Sequence, residues 1–270
     1  MEILARVFAL ICYMIIFDFN WISVRSSSSE RMQQMKISPF PVWRAWMVHL
    51  YTALGLICAL LAANAIAARA PFQAVLWAAL AMLIDGTDGN FARRWQVKQW
   101  VPQFDGRKLD DIIDFLNYTF LPVFFAYQFE IVQGSWTAVL FPVLLVSAYG
   151  FCSDSAKTAD GFFTGFPSYW NGVVLYLYWL KWPAWLAGTL ILLLVILTLV
   201  PTRYISLNQT VPFKKLTIAL LFIWAAVLLW IILGDFSRPD PYLLYASLFF
   251  PAYYFLASLY LHFTTRRVAG

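Results

Sequence analysis

The chain has 270 residues, of which 62% are hydrophobic, 19% aromatic and only 12% charged, with a net charge of +5 and a mean hydropathy of +0.70. A soluble core of this length does not need so much apolar material, so the class expected is an all-α, polytopic transmembrane helical bundle. Cys12, Cys58 and Cys152 are scattered through apolar runs without CxxC spacing and there are only two histidines, which excludes a disulfide framework and a His-rich zinc centre; the positive balance reads as basic cytoplasmic loops, with no nucleic-acid partner.

The first stretch, "MEILARVFALICYMIIF", is apolar but borderline in length for a span, and "RSSSSE" after it has the composition of a flexible linker. No small-residue cleavage site follows, which argues against a signal peptide. The expectation is an N-terminal extension over 1–35, with translation starting at Met32 or Met35, and a single membrane domain over 36–270. The segment "KISPFPVWRAW" has the prolines, tryptophans and basic residues of an amphipathic stretch lying in the membrane interface.

Eight spans follow, at about 46–68, 71–93, 108–130, 136–153, 167–181, 183–201, 215–234 and 241–263, with Pro183 breaking the fifth from the sixth. One side then carries Arg25, Arg31, Lys36 and Arg44, the group Arg93, Arg94, Lys98, Arg107 and Lys108, then Lys157, Arg203, Lys214, Lys215, Arg266 and Arg267. The other side has only Arg69, Lys181 and Arg238. The excess places both termini, and the polar end of the second span, in the cytoplasm. No internal repeat or inverted pseudo-symmetry is visible, which weighs against a secondary transporter.

That polar end is unusual. On a helix, Asp85, Asp88, Gly89 and Ala92 share one face, spaced i, i+3, i+4, i+7. Across a short basic loop, Gly106, Asp110 and Asp114 repeat the pattern at i, i+4, i+8 on the next span. Consecutive spans joined by a short loop are antiparallel neighbours, so four carboxylates meet at one membrane boundary. Each costs roughly 2.5–3.5 kcal/mol at the centre of a span and less near the interface. Hard divalent cations with oxygen ligands, a Mn²⁺ or Mg²⁺ pair, are the natural compensation, and such a pair serves phosphoryl chemistry. A metal-ion or proton transporter also puts acids in spans, but along a path near mid-bilayer, whereas these four gather at one end.

"DGTDGNFAR" followed by "GRKLDDIID" resembles the signature of the CDP-alcohol phosphatidyltransferases, D-x-x-D-G-x-x-A-R, a spacer, then G-x-x-x-D-x-x-x-D. The spacer, residues 94–105, is longer than the family's usual one, and Gly86 is an extra glycine after the first aspartate. In both respects the chain is similar to the branch that makes phosphatidylcholine in bacteria. The likeness extends to "VHLYTALG", "VKQWVP" and "KTADGFFTGFPSYWN", and covers most of residues 36–270. It implies that Asp85, Asp88 and Asp110 ligate two divalent metals, Mn²⁺ or Mg²⁺, and that Asp114 is the general base and also touches a metal. It implies CDP binding at Gly89, Ala92, Arg93 and Gly106, a homodimer in the inner membrane, CDP-diacylglycerol and choline as substrates, and membrane lipids as the surroundings from which CDP-diacylglycerol enters.

Choline offers only a quaternary ammonium and a hydroxyl, which a protein grips with aromatic faces at about 0.5–2 kcal/mol per good contact. The candidates are Tyr118, one turn past Asp114, with Tyr149, Phe163 and Trp170 in and beside the aromatic loop 153–170, where Tyr169 also lies; membrane anchoring is the competing reading of each. Lys157 is a candidate for the lipid phosphate, and His49 and Thr52, a turn apart on the first span, for cytosine or the acceptor. His262 reads as interfacial. Serine, inositol phosphate and glycerol phosphate are the alternative acceptors.

Overall fold

The computed structural model describes residues 40–153, 158, 161–206 and 213–266. The extension over 1–35, the start of the interfacial stretch, and the candidate Lys157 lie outside these residues. The chain divides into two units, Met1–Trp43 and Arg44–Gly270, and the description that follows concerns the second.

Helix α1, Phe40–Ala67, is an uninterrupted Leu- and Ala-rich run. Arg69 stops it by turning left-handed (φ 53°), so that its N–H reaches Ile66 O and the Ala70 N–H reaches Ala65 O, at 3.0 and 2.9 Å. Pro71, with no N–H to leave unpaired, opens α2, Pro71–Arg94. The link is short, so α1 and α2 form a hairpin, with Cys58, Ala81 and Ile84 buried in its seam.

After a four-residue helix α3, Val97–Trp100, comes α4, Gly106–Asp114, which runs without a break through a π-helical turn, Phe115–Phe120, into α5, Leu121–Gln128. Pro122 accounts for the wide turn. It has no N–H, and its ring would strike the carbonyl of Tyr118 in a regular helix, so the backbone opens before it and Leu121 N–H bonds back to Leu116 O. A single 3₁₀ stretch, Gly134–Val139, leads into α6, Leu140–Cys152. The remaining helices are α7 (Trp170–Leu180), α8 (Ala184–Leu199), α9 (Lys214–Leu233), α10 (Pro241–Ser247) and α11 (Phe249–Arg266).

Each of the eight stretches picked out by hydropathy is thus helical. Among the described residues, four stretches are long and apolar enough to cross a membrane: Pro41–Ala67, Gly134–Cys152, Lys214–Leu233 and Pro241–Thr264. Ala184–Leu199 is apolar but shorter. The chain is an all-α membrane protein.

One departure from helix matters. Phe162–Thr164 (β1) and Arg203–Ile205 (β2) pair antiparallel, Phe162 opposite Ile205 and Thr164 opposite Arg203. Unpaired strand groups are costly in a membrane protein, and one face of α11 satisfies them on β2. Tyr254 donates its hydroxyl to Ile205 O (2.9 Å), Ser258 Oγ accepts the Ile205 N–H (3.1 Å), and His262 Nδ1 accepts the Arg203 N–H (3.1 Å). These residues lie at i, i+4, i+8, so the strand is pinned along one helical stripe. His262 is therefore buried, its ring engaged in holding β2.

Candidate active site

The α1–α2 hairpin and α4 bring the acidic residues together. Asp85, Asp88 and Asp110 each present a carboxylate oxygen, and these oxygens lie within 4.8 Å of one another. Asp88 is buried and the other two are half-buried. Thr52 on α1 donates to Asp88 Oδ2 at 2.6 Å, and Tyr118 donates to Asp85 Oδ2 at 2.6 Å. One turn of α2 is also held by Tyr51, whose hydroxyl lies 2.8 Å from Thr87 Oγ1. The π turn sits between Asp114 and Pro122 and presents Tyr118 to Asp85, while Asn117 Nδ2 bonds to Ile113 O at 2.9 Å across the widened backbone.

Asp114 stands apart from the trio of oxygens, although it lies within electrostatic reach of Asp85, Asp110 and Asp88. Its Oδ1 is buried and has no hydrogen-bond partner. Carboxylates this close, one of them buried, repel strongly unless positive charge lies among them, and all the donors are hard oxygens. The residues fit a divalent cation: Asp85, Asp88 and Asp110 form a group that can hold one. Asp105 has another use. It caps α4, its Oδ1 accepting the N–H groups of Arg107 (3.1 Å) and Lys108 (3.3 Å).

The glycines of the two acidic faces are not equally open. A Cβ on Gly106 would stand 2.7 Å from His49 Cε1, so that glycine makes room for a histidine of α1. Beside Gly89 lies the guanidinium of Arg93, whose Nη2 donates to Asn90 Oδ1. Gly86 faces open space. Ala92 packs half-buried against the cluster of Ala45, Val48, Val97 and Val101. His49 is itself buried, 4.4 Å from the Phe104 ring and edge-on to Trp46, with Nε2 unpartnered.

The aromatic candidates separate. Tyr118 reaches the acids. Trp170 does not open onto a pocket: it is 1% exposed, and its indole N–H is taken by Ser147 Oγ at 2.9 Å, which also accepts from Ser168. Trp170 opens α7 in the hydrophobic core, where a buried indole needs a partner for its N–H. Phe163 is paired into the ribbon opposite Tyr204, and Tyr149 is 65% exposed on α6. The residue of the aromatic loop that comes within electrostatic reach of Asp85 and Asp114 is Tyr169, whose ring lies 5.8 Å from that of Tyr254. Its neighbour Ser168 is left-handed (φ 55°), a backbone feature that hydropathy and spacing do not reveal.

No family model matches the chain. Relatives are nevertheless found along most of its length. A phosphatidylcholine synthase of Pseudomonas aeruginosa is 38% identical over 191 residues, covering 70% of this chain and 80% of that protein. One of Borreliella burgdorferi is 34% identical over 224 residues, covering 82% and 96%. One of Rhizobium johnstonii is 33% identical over 203 residues, covering 75% and 84%. The chain belongs to the phosphatidylcholine synthase family. The carboxylates of α2 and α4 thus sit in a membrane transferase of phospholipid biosynthesis, and the resemblance to CDP-alcohol phosphatidyltransferases is that of a phosphatidylcholine synthase.

Proposed function

We propose that the chain transfers the phosphatidyl group of CDP-diacylglycerol to choline and releases CMP. The observation that carries the reading is the Asp85, Asp88 and Asp110 oxygen cluster with the buried, unpartnered Oδ1 of Asp114 nearby, in a chain of this family.

Asp85, Asp88 and Asp110, with Asp114 at the margin, hold divalent metal, Mn²⁺ or Mg²⁺, as two ions. When bound, the metal neutralises the pyrophosphate and the charge that develops on the leaving CMP. Arg93 and the backbone at Gly89 and Gly106 line the nucleotide end, with Ala92 bordering it. Asp114 takes the hydroxyl proton of choline. The choline oxygen forms its bond to the phosphorus that carries diacylglycerol, and the bond from that phosphorus to the bridging oxygen of CMP breaks. Thr52 and Tyr118 fix the Asp88 and Asp85 carboxylates by hydrogen bonds of 2.6 Å each, so positioning and electrostatics supply the rate. Tyr118 and Tyr169, on the side of Asp85 and Asp114, are the aromatic walls offered to the ammonium.

The basic residues set the orientation: the acids face the cytoplasm of a bacterial inner membrane, all eight helical stretches traverse it, and two copies pair. The test offers choline, serine, inositol, inositol phosphate and glycerol phosphate separately to the detergent-purified protein with CDP-diacylglycerol and Mn²⁺, and measures CMP. Release with choline alone is expected. Release with a different acceptor alone keeps the chemistry and removes choline.

A further inference from the structure

Tyr169 is the N-cap residue of α7 and lies within electrostatic reach of Asp85 and Asp114. Its backbone is set by its neighbours. Gly165 takes φ 80°, which lets the chain lie against Thr198 O, and its N–H bonds to Thr202 O at 2.8 Å. The Phe166 N–H bonds to Leu197 O at 3.0 Å. Ser168 and Trp170, on either side of Tyr169, both donate to Ser147 Oγ on α6. The direction of the Tyr169 ring is a separate matter, because its side-chain torsions are not fixed by these bonds.

The side chain that meets it is Tyr254 of α11. The two rings stand edge-on, with centroids 5.8 Å apart, and their hydroxyls are hydrogen-bonded. A tyrosine has one proton to give, and Tyr254 gives it to Ile205 O at 2.9 Å. Its oxygen is therefore left to accept from Tyr169. Tyr254 is itself firmly held: it is buried in the core and stacked 6.4 Å from the Tyr204 ring. The strand it grips is pinned again by Ser258 and His262. The preceding residue, Tyr253, is turned to α9 instead, its hydroxyl 2.8 Å from Thr217 Oγ1. The stripe of α11 that satisfies the ribbon thus also reaches, through one hydroxyl, the aromatic residue beside the acids.

We propose that Tyr254 is a positioning residue for the acceptor alcohol: by holding the Tyr169 hydroxyl it turns that ring to the bound acceptor, and so sets acceptor affinity and not turnover. The inference rests on the reading of Tyr169 as an aromatic wall of the acceptor site. The ammonium of choline is remote from the reacting hydroxyl and keeps its full charge from bound acceptor to product. A contact to it is therefore equally strong in the ground and transition states, and its loss raises KM while sparing kcat. A merely structural tyrosine would lower the melting temperature without singling out the acceptor KM.

The full-length protein in detergent receives CDP-diacylglycerol and Mn²⁺, the acceptor concentration is varied, and CMP release gives kcat and KM. Tyr254→Phe should raise the KM for choline roughly three- to tenfold, the worth of one hydrogen bond, with kcat and the KM for CDP-diacylglycerol changed less than about twofold. Tyr169→Phe removes the same bond from its other end without touching Ile205, and should match it. The double variant should be no worse than either, because both remove one interaction. Tyr253→Phe loses its hydrogen bond to Thr217 from the same helix and should leave the choline KM unchanged. An unmoved KM in Tyr254→Phe or Tyr169→Phe, a fall confined to kcat, multiplied effects in the double variant, or an equal rise in Tyr253→Phe would overturn the proposal. If the wild type uses a different acceptor, choline falls and Tyr254 is judged by that acceptor's KM in the same variants. No CMP release by the wild type with any acceptor would end the transferase reading and this inference together.

Discussion

Substituting Gly106 by alanine tests how α1 locks onto the acidic helix. The added Cβ would stand 2.7 Å from His49 Cε1 and 3.1 Å from Nδ1, closer than a carbon tolerates. His49 has little room to yield, with Phe104 4.4 Å away and Trp46 5.8 Å away, centre to centre. Forcing a methyl into such a contact costs about 1–3 kcal/mol. In detergent that corresponds to a fall in melting temperature of roughly 3–10 °C, by the scaling for a chain of this size. Because α4 carries Asp110 and Asp114, its displacement also lowers CMP release. His49→Ala removes the obstacle, so in the double variant the two losses should be less than additive by about 1 kcal/mol or more. Gly86→Ala is the internal control, since its Cβ meets nothing within 4 Å. It should be neutral, or stabilising by up to about 1 kcal/mol from helix propensity. Strictly additive losses for Gly106→Ala and His49→Ala would refute the steric lock.

Three further substitutions separate site from scaffold. Thr52→Val keeps the shape but removes the donor to Asp88, and should raise the Mn²⁺ concentration for half-maximal CMP release by roughly 10–100-fold at nearly unchanged melting temperature. Tyr118→Phe removes the donor to Asp85 and should lower kcat with the fold intact, which circular dichroism and the elution profile would check. Ser147→Ala strands the Trp170 indole N–H and the Ser168 hydroxyl, and should cost about 1–3 kcal/mol of stability while leaving the KM for choline unchanged. A raised choline KM in that variant would put Trp170 back into the acceptor site.

The helices and the acidic faces were legible because both depend on local periodicity. Hydropathy over a window of span length marks each apolar stretch, and i, i+3, i+4 spacing tells which side chains share a face before any neighbour is known. The spacing brought Asp85, Asp88 and Asp110 together correctly. It could not separate Asp114, because the distance between two carboxylates depends on how α4 leans on the α1–α2 hairpin. Pro122 inside an apolar run was the visible signal for the π turn, but a continuous span over 108–130 hid it. The ribbon was invisible for another reason. Each strand has three residues, and the partners, Phe162–Thr164 and Arg203–Ile205, are separated by two helices. The aromatic loop shows the same limit. Composition alone marks Trp170 and Tyr169 equally, and only the fold shows Trp170 fully buried on Ser147 while Tyr169, also packed against the core, lies within electrostatic reach of Asp85 and Asp114.

The central claim, that these carboxylates carry phosphatidyl transfer to choline, is tested most directly by one assay. Purified wild-type protein and Asp114→Asn receive CDP-diacylglycerol, choline and Mn²⁺, with CMP and phosphatidylcholine measured together. The account predicts equimolar CMP and phosphatidylcholine from the wild type, their loss when the metal is chelated, and neither product from a folded Asp114→Asn protein. Near-normal turnover by Asp114→Asn, or undiminished turnover after chelation, would contradict it.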